Sequence, residues 1–354
     1  MNKLLTEQAA RQFTGPGDIT VDSVGNGLIH YTYKATNTAT QKTILLQAIN
    51  TKIFKTPDDI LYNYNKVYQH LQANKSGISI PAPVLTTEKK LSWIDEENNY
   101  WRATAFINHT YSPDIAADEQ AAYTVAKSFA TFTRSLAGLD AKELKIVIPN
   151  FHNLSFRYEQ LEKAITSASL DRLLKSTHVI AELRQRKPLV TWYETIINSS
   201  SYPVRVMHHD CKISNILFNT GSGKVICPVD LDTVMPGNFF SDLGDMIRSM
   251  ACTVDENSNH WEEINIRPSF YKNILKGYLE GIGDIFSEEE KKDIHYTGMV
   301  MIYMQSIRFL NDFLNNDIYY KTSYPEQNLN RALNQLILLE KLEEFLEKEY
   351  QFTF

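Results

Sequence analysis

A chain of 354 residues, 43% of them hydrophobic, has enough apolar side chains for two domains or for one domain in two lobes. Its 36 basic residues against 42 acidic ones leave a net charge of −6, which argues against nucleic acid or an anionic membrane as the main partner; any anionic ligand must be held locally. Cys211, Cys227 and Cys252 are odd in number and lack metal-ligand spacing, and the opening MNKLLTEQAARQF has no secretory core, so free thiols in a cytoplasmic protein are expected. Nor does any apolar run approach the roughly 18 residues of a membrane span.

From residue 19 to 50, ITVDSV, LIHYTYKAT and TILLQAI alternate with the turn segments GNG and TATQ, which predicts a three-stranded antiparallel meander. A helix follows, with Thr56 as N-cap, Pro57 at its first position, and Ile60, Tyr64, Val67 and Leu71 at helical spacing. ISIPAPVLTT and NYWRATAFI read as two more strands, and NHTYSP as a connector. Beyond residue 115 the pattern turns helical: DEQAAYTVAKSFATFTRSLAG stops at Gly138. Further helices are expected over 155–167, 170–185, 188–199, 241–252, 268–281, 287–315 and 326–349. In the last of these Leu329, Leu333, Leu336, Leu342 and Leu346 read as core positions. One short β region, from VRVM to KVICPVDLD, interrupts them. The expected architecture is α+β, with a small antiparallel β-sheet lobe over 1–107 and a larger, mostly helical lobe over 108–354.

Inside the helical half, VRVMHHDCKISNILFN sets His208, His209, Asp210, Lys212 and Asn215 between two apolar segments, where strand ends present fixed polar groups. Asp230 closes a second apolar strand, VICPVDLDT. Asp or Asn alone is commonly a cap or a turn former. The order His, any residue, Asp, four residues, Asn, apolar run, gap, apolar strand, Asp is the arrangement phosphoryl transfer by kinases uses. Asp210 would orient and deprotonate an acceptor hydroxyl, Asn215 and Asp230 would offer hard oxygens to Mg²⁺, and Lys212 would place a positive charge on the transferring group. His208 reads as scaffolding. The glycine loop, Gly25, Asn26 and Gly27, would cover nucleotide phosphates through its backbone amides.

These residues resemble the aminoglycoside phosphotransferase and choline kinase superfamily, whose fold is the two-lobed protein-kinase-like one. GNGLIHYTY, LLQAINTKIF, FINHTYS, HHDCKISNILFN, VDLDTVMPG, SDLGDMIR and IRFLNDFLNNDIYYKTSYPEQNLNRALNQ are similar, in order, to blocks of N-acetylhexosamine 1-kinases. That resemblance implies ATP- and Mg²⁺-dependent phosphorylation of the anomeric hydroxyl of N-acetylglucosamine or N-acetylgalactosamine. By the same likeness the backbone at Phe106 and Asn108 would bond adenine, and Arg308, Asp312 and Tyr319 would face the sugar, with Asp232 either bracing the site or binding sugar. Arg308 and Asp312 also share a helix face by spacing, as a polar sugar requires.

Two departures stand out. The strand that carries a lysine in many kinases carries Gln47 here, and the helix after Pro57 has no glutamate to match. In the glycine loop this chain reads Leu28, Ile29, His30 after Gly27, side chains expected near the reacting centre. Asp242 and Asp245 are expected to brace the catalytic loop rather than to hold metal. Other acceptors (choline, an aminoglycoside, another sugar) and a silent kinase-like binder are alternatives. A sulfatase is a further one, from SYPVR at Ser201–Arg205, although the other sulfatase blocks are missing.

Overall fold

The computed structural model describes residues 2–25, 29–74 and 77–353. It divides the chain into two units. The first comprises Met1–Tyr111, Gly138–Pro149 and Ile216–Pro236; the second comprises Ser112–Ala137, Asn150–Asn215 and Gly237–Phe354. The first unit thus takes two segments from beyond the expected boundary at 107/108.

In the first unit, helix α1 (Lys3–Thr14) begins where the Asn2 side chain accepts the Leu4 amide at 3.0 Å. This helix lies outside the expected elements, though Leu5, Ala9 and Phe13 recur at i, i+4 and i+8 and are all buried. Strands β1 (Ile19–Ser23), β2 (Tyr31–Asn37) and β3 (Lys42–Ile49) form the expected antiparallel meander. Helix α2 (Pro57–Asn74) follows, and then β4 (Pro83–Val84), β5 (Ser92–Ile94) and β6 (Tyr100–Ala105). The sheet runs β1-β2-β3-β6-β4, with β5 on β6. Of ISIPAPVLTT only Pro83 and Val84 pair, a two-residue strand at the end of the sheet order, the kind of edge position where proline is tolerated.

Period-two alternation places Ile44, Leu46 and Ala48 of β3 on one face, packed with Trp101 and Ala103 of β6 and with Ala9, Ala10 and Phe13 of α1. A second sheet joins β7 (Thr110–Tyr111), β8 (Ile216–Asn219) and β9 (Val225–Pro228). This pairing, with the Asn63 side chain donating to Lys145 and Val234 carbonyls at 2.8 and 2.9 Å, draws the two later segments into the first unit. Such long-range pairing leaves no mark in local periodicity.

The second unit is helical: α3 (Glu119–Ser135), α4 (Leu154–Ser167), α5 (Leu170–Gln185), α6 (Pro188–Ile197), α7 (Phe240–Met250), α8 (Pro268–Ile282), α9 (Glu288–Lys292), α10 (Tyr296–Leu314) and α11 (Gln327–Tyr350). The single helix expected over 287–315 is two, α9 and α10. Helix α10 is buried on nearly every side and packs against α11, α7, α4 and α5, which explains its apolar run MVMIYM. In α11, Leu336, Leu342 and Leu346 are core, whereas Leu329 and Leu333 are only half-buried. Among the described residues no helix is long and apolar enough to cross a membrane.

Helices α3 and α8 meet at their backbones. A Cβ at Gly277 would overlap the Tyr123 carbonyl oxygen, and one at Gly281 that of Lys127, so the i, i+4 glycine pair sets how closely the helices approach. Gly277→Ala should therefore destabilise the protein by about 1–3 kcal/mol in chemical denaturation, although alanine is the better helix former.

Candidate functional site

The segment that carries Asp210 belongs to the second unit and is held by α7. The backbone N–H groups of His208 and His209 donate to the two Asp242 oxygens at 3.0 and 2.8 Å, and the Cys211 N–H donates to Asp245 Oδ2 at 2.9 Å. Buried amides need partners, and two acids three residues apart on one helix face supply them. The expected bracing role of Asp242 and Asp245 is what the geometry shows. Burial raises the Asp245 pKa; Arg248, bonded to it at 2.9 Å, opposes the shift and the nearby Asp210 charge adds to it. His208 is fully buried between the edges of Phe129 and Phe132, with ring centroids 5.0 and 6.1 Å away, in agreement with a scaffolding role. His209 has φ 66°, a left-handed conformation uncommon outside glycine, and it precedes Asp210 directly.

Asp210, Lys212 and Asn215 come together as the sequence predicted. Asn215 Nδ2 donates to Asp210 Oδ2 at 2.8 Å and to the Asp210 carbonyl at 2.9 Å, while Lys212 Nζ lies 3.1 Å from the same Oδ2. Both partners use one oxygen, so Oδ1 is the carboxylate atom that neither of them engages. The amide nitrogen of Asn215 is likewise committed, so its Oδ1 is the atom it can offer a cation. Lys212 is nearly half-exposed, and so exposed an ion pair is worth at most about 1 kcal/mol.

The first unit holds Asp230, Asp232, Gly25, Phe106 and Asn108. Asp230 is exposed at the end of β9 with φ 59° and ψ 56°, its carboxylate a hard donor suited to Mg²⁺. Gly25 has φ 70°, which favours glycine; Asn26, Gly27 and Leu28 lie outside the described residues. Phe106 and Asn108 follow β6, Phe106 half-buried beneath the Lys34 ammonium at 4.9 Å from its ring centre and Asn108 exposed.

Asp232 is not open to a sugar. It is buried, and both its oxygens are taken: Arg102 Nη1 and Nη2 donate to Oδ1 and Oδ2, the latter at 2.7 Å, and His30 Nε2 meets Oδ2 at 2.6 Å. His30 in turn accepts the Asn50 amide on Nδ1 at 3.0 Å, so this side chain, expected beside the reacting centre, is a buried anchor of the DLD turn. Arg102 also sets the surroundings of Gln47, which stands where many kinases carry the strand lysine. Register places Thr32, Gln47 and Arg102 in one row across β2, β3 and β6; Arg102 Nε donates to Gln47 Oε1 at 3.0 Å and Gln47 Nε2 to Thr32 Oγ1 at 3.2 Å. A fixed cation thus sits one strand over from position 47, and Gln47 is its neutral support. The signal was an arginine inside the otherwise uncharged strand YWRATA.

Asp312 is likewise no partner for Arg308. It is buried and accepts the Tyr319 and Tyr320 amides at 2.8 and 2.9 Å and Asn328 Nδ2 at 2.9 Å, so it shapes the 319–320 turn. Arg308 is half-buried above Phe151, and the Tyr319 side chain is 60% exposed. Arg205, from the SYPVR segment, is bound to the buried Glu290 at 2.5 and 2.8 Å, a structural pair.

Burial alone would raise the Asp232 pKa, but Arg102 and His30 outweigh it and hold the carboxyl below its ordinary 3.8. Breaking so buried a pair by Asp232→Ala should cost about 3–5 kcal/mol in denaturation at neutral pH. Because the folded pKa is depressed, the contribution is complete above the unfolded value and is lost as pH falls, so the gap between wild type and variant should narrow between about pH 5 and pH 2.

Residues 20–285 match the phosphotransferase enzyme family. Among solved structures, an aminoglycoside phosphotransferase from Alicyclobacillus acidocaldarius superposes with a TM-score of 0.66 at 13% identity, covering 99% of this chain and 97% of that one. Spectinomycin phosphotransferase, solved with ADP and spectinomycin, gives 0.61 at 14% identity over 97% and 99%. A choline kinase from Cryptosporidium parvum gives 0.56 at 13% identity over 98% and 96%. At such identities the likeness is one of fold: a protein-kinase-like α+β fold with an antiparallel sheet in its N-terminal part and a helical C-terminal part. The family match extends over well more than half of the sequence and takes in Asp210, Asn215 and Asp230, and on it the chain belongs to the phosphotransferase enzyme family.

Proposed function

We propose that this phosphotransferase moves the γ-phosphoryl group of ATP to the anomeric hydroxyl of an N-acetylhexosamine, N-acetylglucosamine or N-acetylgalactosamine. The observation that carries the transfer chemistry is the Asp210 carboxylate, held on one oxygen by Asn215 and Lys212 on a loop braced from α7. Its acceptor is supported by the sequence blocks shared with N-acetylhexosamine 1-kinases, and its use of ATP by the ADP bound to spectinomycin phosphotransferase.

Asp210 Oδ1 takes the proton of the acceptor hydroxyl and aligns it for in-line attack. Asn215 and Asp230 offer oxygen atoms to Mg²⁺, which when bound neutralises charge on the phosphates. Lys212 leaves its ion pair to meet the transferring group. The segment at Gly25, Asn26 and Gly27 covers the phosphates, and the backbone at Phe106 and Asn108 receives adenine. Arg308 and Tyr319 face the acceptor; Asp232 and Asp312 support the site from within the protein, because their carboxylates are already committed.

Asp210→Asn should lower kcat by about 10²–10⁴ while nucleotide affinity, followed by calorimetry, is retained; unchanged turnover would remove Asp210 from the base role. Asp230→Ala should abolish Mg²⁺-dependent nucleotide binding in the same calorimeter, and normal Mg-ATP affinity would refute the ligand assignment. ATP consumption over N-acetylhexosamines, hexoses, choline and aminoglycosides, with phosphorus NMR locating the new ester, tests the acceptor: turnover confined to choline or aminoglycosides would refute it.

A further inference from the structure

Arginines that are not fully exposed in this protein are, with few exceptions, paired. Arg102, Arg172, Arg186, Arg205, Arg248 and Arg331 each lie within 2.9 Å of a carboxylate oxygen. Arg157, Arg267 and Arg308 do not; Arg267 lies 3.6 Å from the Phe270 ring centre and donates to the Met250 carbonyl, which leaves Arg157 and Arg308 as the two that share neighbours. Among the described residues neither meets a carboxylate: Arg157 donates from Nη1 to Gln160 Oε1 at 3.0 Å and from Nη2 to the Phe151 carbonyl at 3.3 Å, and Arg308 donates from Nη1 to Gln305 Oε1 at 3.0 Å. Arg157 Nε is buried without a partner, as are those of Arg267 and Arg331, but of these three arginines Arg157 is the one beside Phe151 and Arg308. The acid that spacing assigns to Arg308, Asp312, is turned to the backbone of Tyr319 and Tyr320.

Both guanidinium groups converge on Phe151. Arg157 binds its carbonyl and Arg308 lies 5.4 Å from its ring centre. His152 stacks on the same ring at 4.4 Å, and its Nδ1 is 3.3 Å from Nδ1 of His209, the residue before Asp210. A continuous set of contacts thus runs from the neighbour of the proposed base to two arginines with no counter-ion. The charges feel one another. Burial, followed by the field of Arg308, brings the Arg157 pKa down to about 10, and burial, then His209, Arg308 and Arg157, drive that of His152 well below 6.5. Two like charges and an orphaned donor, partly buried together, cost stability unless a ligand compensates them. Guanidinium forks are shaped to bind carboxylate or phosphate oxygens in pairs.

We propose that Arg157 and Arg308 form an oxyanion subsite on the acceptor side, so that the preferred acceptor is an N-acetylhexosamine carrying a carboxylate or a phosphate ester. This rests on the sugar-kinase reading and narrows it. The same charges disfavour cationic acceptors such as choline and aminoglycosides.

The test compares kcat/KM for N-acetylglucosamine, its 6-carboxylate and its 6-phosphate, with glucosamine as the cationic counterpart, in wild type, Arg157→Gln, Arg308→Gln and Arg157→Lys. One or both of the anionic sugars should exceed the neutral one at least tenfold at low salt, and which does so identifies the oxyanion. The preference should fall with added salt, collapse toward unity in the glutamine variants, and return in part with lysine. A neutral sugar used as well as its acids, a preference that survives both glutamine variants, or a change confined to the KM for ATP would each overturn the subsite. If no sugar is phosphorylated, the sugar-kinase reading fails by itself. The subsite is then read from thermal stabilisation by the 6-carboxylate and 6-phosphate without ATP: stabilisation lost in Arg157→Gln supports it, and none in wild type overturns it.

Discussion

The site depends on an exchange between buried acids and buried amides. Asp242 and Asp245 are largely excluded from water on α7, and each would be costly there without donors. The loop that carries Asp210 has the reciprocal problem, since the amides of His208, His209 and Cys211 point away from any strand ladder. Each solves the other. The result fixes the backbone on both sides of Asp210, including the left-handed turn at His209. A backbone held in this way is what the base role proposed for Asp210 requires.

The first unit meets a different demand with the same logic. A cation inside a sheet has to be neutralised and oriented, and Arg102 is both: Asp232 grips its fork and Gln47 receives its Nε. Asp232 is two residues from Asp230, so the contacts that hold the arginine also hold the turn from which Asp230 projects. His30 closes the ring of contacts from β2's approach. In this arrangement a lysine at position 47 would confront Arg102 across the strand pair, and glutamine instead supports it.

Asp232 and Asp312 illustrate a general point about reading acids. Both lie in polar stretches that suggest ligand contact, and both are turned inward, one to a guanidinium and one to backbone amides. Arg308, which spacing pairs with Asp312, is left without that acid and shares Phe151 with Arg157. Charge around Phe151 is therefore set by which acids are already engaged, a property of the folded state rather than of composition.

Local pattern was enough for the meander, most of the helices, and the Asp210, Lys212 and Asn215 cluster, because each depends on residues within a few positions: strand alternation, helical spacing, caps and a short loop. The phosphotransferase family was legible too, in the order and spacing of Asp210, Asn215 and Asp230. Tertiary structure alone decided what depends on partners distant in sequence. Arg102 finds Asp232 across 130 residues and His30 finds it across 202, so no window of sequence could show that this carboxylate is occupied. The recruitment of residues 138–149 and 216–236 into the first unit is likewise a matter of strand pairing and of Asn63. Spacing determines which side chains share a face. Which of them remain available is determined by the partners that folding brings to them.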